Sequence, residues 1–78
     1  MRTATIRTDH GDGATAERIA RAVRPDNTDE MATRVEGREI VTEIDRETTG
    51  GLHSTVDDYV VNLRVAAQLS DRHTTHTL

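Results

Sequence analysis

The spacing of apolar side chains changes several times along the chain, and each change marks an element. Residues 2–8, RTATIRT, alternate with Ala4, Ile6 and Thr8 on one side, which predicts a strand with one modestly apolar face. The run DHGDG at 9–13 ends it, and Asp12 is placed to cap a helix starting at 13. Over 13–24, Ala16, Ile19, Ala20 and Val23 recur at i, i+3, i+4 and i+7, the stripe of an amphipathic helix. Pro25 stops that helix, because it lacks an N–H and disfavours helical geometry before it. The PDN at 25–27 reads as a tight turn. Residues 29–46 predict a β-hairpin. Met31, Thr33 and Val35 alternate on its first arm and Ile40, Thr42 and Ile44 on its second, with Glu36-Gly37 at the turn. The run ETTGG (47–51) reads as a flexible joint before a long helix over 52–69. SDRHTTHTL shows no periodicity.

The expected fold is therefore α+β with the order β-α-β-β-α. Two helices cover one face of a three-stranded antiparallel sheet of strand order 1-3-2. The third strand takes the centre because it is richest in β-branched residues. One domain is expected over 1–70, with 71–78 a disordered tail.

The last helix carries apolar side chains on two faces. At about 100° per residue from Val56, the residues Leu52, Tyr59, Val60, Leu63, Ala66 and Ala67 fall between about −80° and +40°. That arc is wide enough to cover a small sheet. Val61, Val65 and Leu69 fall at about 140°, 180° and 220°, a second stripe on the opposite side. Either the chain's own loops or tail cover this stripe, or it contacts a helix of another chain, with Arg64 and Gln68 as a polar rim.

Composition sharpens that choice. Ile, Leu and Val number 15 in 78 residues, and Tyr59 is the only aromatic, so the core is thin. Oligomerisation, a partner or high salt would relieve this. Cysteine is absent, which excludes disulfides and thiolate metal sites. The first residues, MRTATI, hold no apolar run, so neither a signal peptide nor a membrane span is expected, and the expected location is cytoplasmic. There are ten Arg and no Lys, eight Asp, six Glu and thirteen Thr. Such a composition suits a halophile's solvated surface, and a GC-rich genome gives the same Arg-for-Lys bias. The net charge of −4 argues against free-standing nucleic-acid binding but leaves room for a local basic face.

Two stretches, in order, resemble one family. RPDN (24–27) after a short helix is similar to the Pro-Asp-Asn turn of the small dimerising (Pcc-type) subunit of the archaeal KEOPS complex. LHSTVDDYVVNLRVA (52–66) resembles that family's C-terminal helix pattern, with His53 where the family has Arg. The likeness covers about residues 2–69 and suits a haloarchaeal member. It implies a non-catalytic assembly subunit supporting threonylcarbamoyladenosine modification of tRNA, with the metal-dependent chemistry on another subunit. By position it implies that Val61, Val65 and Leu69, rimmed by Arg64 and Gln68, contact that catalytic subunit. Arg18, Arg21 and Arg64 would border the contact or touch tRNA phosphate. A homodimer would form through the exposed edge of residues 2–8 or 29–35. An independent KH-like nucleic-acid-binding module is the alternative, although no Gly-x-x-Gly clamp joins the helices.

Catalytic chemistry finds little material. His73-x-x-His76 lies in the Thr-rich tail, and His10 and His53 stand apart, so no metal and no cofactor are expected. DHGDG lacks the carboxylate spacing of calcium loops, and ETTGG lacks the Lys of a P-loop. Asp57 and Asp58 diverge by about 100° on a helix and read as early-helix acids. Tyr59 reads as core, and Ser54 and Thr55 as helix-start residues. Arg18, Arg21 and Arg24 form a short ridge, either a solvated helix face or a phosphate contact within a larger complex. Without an aromatic platform beside them, base stacking is not expected. No enzyme is expected.

Overall fold

The computed structural model describes residues 1–75, with side chains described through Ser70. Its elements are β1 (Arg2–Asp9), α1 (Gly13–Val23), a 3-10 turn (Arg24–Asp26), β2 (Met31–Glu36), β3 (Glu39–Arg46) and α2 (Thr49–Thr75). β3 lies between β1 and β2 and runs antiparallel to both. The order β-α-β-β-α and the antiparallel α+β sheet are as the alternation predicts.

Register sorts the sheet into three rows on its helix side. They are Ala4–Ile44–Met31, Ile6–Thr42–Thr33 and Thr8–Ile40–Val35. Ile40 and Ile44 join Ala16, Ile19, Ala20 and Val23 of α1 and Tyr59, Leu63 and Ala66 of α2 in one buried cluster. Both helices therefore cover the same face.

The middle row is polar, and its hydroxyls are satisfied in series. Asn27 Nδ2 donates to Thr33 Oγ1 at 2.7 Å, Thr33 and Thr42 share a hydrogen bond of 2.8 Å, and Thr42 donates to the Tyr59 hydroxyl at 2.7 Å. Thr42 and Tyr59 are buried. Leaving any of these groups unpaired would cost more than each bond contributes. The chain thus ties the turn after α1 to the sheet and the sheet to α2.

Local chemistry explains the boundaries. Asp12 Oδ1 accepts the Thr15 N–H at 2.7 Å, the expected N-cap, and this bond holds the Asp12 carboxyl below its ordinary value. α1 ends at Val23, and Pro25 enters the first turn of the 3-10 segment, where a missing N–H is harmless. Glu36 pairs with Glu39, so the hairpin loop is Gly37-Arg38 and not Glu36-Gly37. Gly37 takes φ 63°, the left-handed conformation at the first loop position that a glycine allows.

α2 departs from expectation at both ends. The supposed joint is its first turn: Thr48 Oγ1 accepts the Gly51 N–H at 2.9 Å as a cap. Arg46 then folds over that turn, donating to the Gly51 carbonyl at 3.3 Å and to Thr55 Oγ1 at 2.5 Å. A Cβ on Gly51 would stand 3.1 Å from the Arg46 guanidinium, so the glycine makes room for an arginine. At the other end the helix continues to Thr75, past the expected stop at 69 and into the expected tail. Ser70 is buried and accepts from Arg18 Nε at 2.9 Å, which packs the last residue of the expected domain against α1. Residues 76–78 of the expected disordered tail lie outside the described residues. Among those described, no helix is long and apolar enough to cross a membrane.

The other sheet face has no helix, yet Val41 on it is fully buried. Its cross-strand neighbours are Arg7 and Arg34, whose stems cover it. Their guanidinium groups are held by carboxylates: Arg7 by Glu36 (3.3 Å) and Glu39 (3.4 Å), Arg34 by Glu36 (2.5 Å) and Glu43 (2.6 Å). The Arg34 hydrogen bond holds the Glu36 carboxyl low.

Candidate partner-binding face

The core fixes which way α2 presents its second stripe. With Tyr59, Leu63 and Ala66 buried, Val61, Val65 and Leu69 point outward at 57%, 48% and 55% exposure. Apart from Met1, they are the exposed large hydrophobics among the described residues. No described loop covers them. A ridge of i, i+4 and i+8 residues spans about 12 Å along the helix.

Polar side chains border the ridge unequally. Arg64 and Gln68 are exposed along one side, as expected, and Arg64 makes no hydrogen bond or ion pair with any described residue. At the Val61 end, a groove of roughly 400 Å³ opens between α2 and the link from α1 to β2. Asp26, Glu30 and Asp58 line it beside Val61. Its cation, Arg46, is engaged with Gly51 and Thr55, and it approaches Glu30 at 3.9 Å. The Thr28 hydroxyl keeps the Glu30 carboxyl low and charged. The Val61 end of the ridge is therefore bordered by acidic side chains, while Arg18 of α1 is bonded to Ser70 on the buried side of α2.

The three arginines of the α1 ridge have different surroundings. Arg18 stitches the two helices together, and Arg24 Nε donates to the Thr33 carbonyl at 3.4 Å. Arg21 is exposed and has no partner among the described residues. Arg24 and Asn27 thus both reach Thr33 of edge strand β2. Among the described residues, no side chain bonds the backbone of residues 2–8 on the other edge.

The remaining candidates stay dispersed. His10 Nε2 lies 2.7 Å from Thr8 Oγ1, and exposed His53 pairs with Asp57 at 3.5 Å. The side chains of His73 and His76 lie outside the described residues. Asp57 and Asp58 are both exposed. Thr55 donates to the Gly51 carbonyl at 3.0 Å, within the first turns of α2. Among the described residues, no three His, Asp or Glu side chains are grouped to hold a metal. Burial pushes the Tyr59 hydroxyl up from its ordinary value of 10.0, so it stays protonated in the core.

No protein-family model matches the chain, and no curated protein matches it.

Proposed function

We propose that this chain is a non-catalytic assembly subunit of the KEOPS type, acting in the cytoplasm of a halophilic archaeon. It docks on the catalytic subunit through Val61, Val65 and Leu69, with Arg64 and Gln68 at the rim. In that complex it supports threonylcarbamoyladenosine modification of tRNA. The observation that carries the reading is the bare aliphatic ridge on α2: a chain this poor in apolar side chains leaves three branched ones aligned in water. The order β-α-β-β-α agrees with it, as do the resemblances at RPDN and in α2. Self-pairing uses β1, the edge whose backbone no described side chain occupies. Arg21 is the arginine of α1 free to meet tRNA phosphate.

The test is co-expression with the catalytic subunit of a haloarchaeal KEOPS complex, followed by pull-down in high salt. Val65→Asp puts a carboxylate into a contact that would strip its water. It should reduce capture more than tenfold while circular dichroism stays unchanged. Wild-type capture by the variant, or its unfolding in isolation, would sink the docking assignment. Tight, salt-sensitive RNA binding by the isolated chain would instead favour the KH-like reading.

A further inference from the structure

On the open sheet face this chain shows how it satisfies carboxylates grouped around an apolar side chain. Arg7 and Arg34 lay their stems over Val41, and their guanidinium groups pair with Glu36, Glu39 and Glu43. The groove at the Val61 end of α2 has the same parts with no arginine laid across them. Met31, Tyr59 and Val61 give it an apolar lining, and Asp26, Glu30 and Asp58 give it carboxylates. The side chains of Asp26 and Asp58 have no hydrogen bond or ion pair among the described residues. Glu30 accepts from Thr28 at 2.7 Å, and Arg46 comes no closer to it than 3.9 Å. Arg46, the cation of this lining, is turned to Gly51 and Thr55 instead.

The dimensions narrow the guest. A groove of roughly 400 Å³ is far larger than a bare ion, and among the described residues no three acidic or histidine side chains are grouped to hold a metal. Three carboxylates against one engaged arginine repel phosphate, so the guest is not nucleic acid. An extended cation with an apolar stem fits both the lining and the charge. Guanidinium suits it better than ammonium, because its planar fork can bond two carboxylates at once. We propose that this groove receives an arginine side chain from the partner helix that lies on Val61, Val65 and Leu69. The assignment rests on the docking reading above for the helix that carries the arginine. It adds what the aliphatic stripe lacks. Residues at i, i+4 and i+8 look alike from either end, so they cannot choose the direction of a helix laid on them. An acidic groove at one end can, and it fixes register as well.

Two readouts on the full chain test this. The first titrates N-acetyl-arginine amide and its uncharged isostere N-acetyl-citrulline amide at one fixed salt concentration, followed by NMR. The arginine compound should shift the resonances of Val61 and the Asn62 side-chain amide, the citrulline compound should not, and Asp58→Asn should remove the difference. The second is capture of the same catalytic subunit. Asp58→Asn should weaken it about tenfold, the loss of one hydrogen bond to a charged group. Asp57→Asn removes the same charge one position away, where Asp57 is exposed and paired with His53, and should leave capture unchanged. Equal responses to the two amides, or equal effects of the two aspartate variants, would overturn the groove assignment. If Val65→Asp ends capture while Asp58→Asn does not weaken it, the docking reading stands and the groove falls. If capture survives Val65→Asp, the docking reading falls and takes the arginine with it.

Discussion

The hydroxyl chain from Asn27 to Tyr59 makes a prediction that separates pairing from packing. Tyr59→Phe keeps the ring and removes the oxygen that Thr42 donates to at 2.7 Å. Thr42 keeps its bond to Thr33, so the loss is one net hydrogen bond, about 1 kcal/mol. Thr42→Val keeps shape but removes the middle link. The buried Tyr59 hydroxyl and Thr33 both lose a partner, which costs about 2–3 kcal/mol. The double variant leaves no orphan on Tyr59 and should be more stable than Thr42→Val alone. In a domain of this size each kcal/mol moves Tm by about 4–8 °C. Thermal and urea unfolding followed by far-UV circular dichroism, at one fixed salt concentration, measures all four proteins. The decisive quantity is the coupling between the two positions. If the two single effects add within about 0.3 kcal/mol, the hydroxyls act independently and the chain is not a unit.

The glycines opening α2 should respond oppositely to alanine. Gly50→Ala meets nothing within 4 Å and should stabilise by about 0.5–1 kcal/mol; Gly51→Ala must push aside the capping Thr48 hydroxyl and Arg46 and should lower Tm instead. On the acid side, Glu36 has a depressed carboxyl, so its contribution is present above the unfolded value and lost as pH falls through the folded one. Glu36→Gln should flatten that part of the stability–pH curve. On the alkaline side, Tyr59 is raised, so the unfolded chain releases this proton first and stability should fall as pH climbs above 10.0; Tyr59→Phe should remove that fall.

Much of the fold was legible because one periodicity dominated each segment. The alternation in β1, β2 and β3 reads directly as the three rows of the helix-facing sheet surface. The angular count on α2 separated Tyr59, Leu63 and Ala66 from Val61, Val65 and Leu69, and burial divides them the same way. What escaped depends on side-chain contacts between different elements. Two adjacent glycines look like a hinge until Arg46, from the end of β3, is known to lie over the second of them. Thr48 was the available sign, a capping residue ahead of the helix. The extension through Ser70 needs the Arg18 bond from α1, across 52 positions. Within the α1 ridge, spacing alone cannot tell an arginine that bonds Ser70 from one, like Arg21, that bonds nothing described. Val41 was counted as a strand former, but its covering by Arg7 and Arg34 depends on strand register.

That covering gives the arginine bias a structural use. A sheet with helices on one side leaves its other side wet, and a chain with one aromatic residue has little to roof it with. Here two long stems serve as the roof over Val41, and their planar heads each hold two carboxylates at once. A lysine could supply the stem but not the fork, because its compact ammonium lacks the fixed planar set of donors. Arg34 uses two nitrogens of its fork, so exchanging it for lysine would keep the net charge but loosen the hold of Glu36 and Glu43 on the stem above Val41. On this face the charged side chains that meet the water also serve as the sheet's second apolar layer.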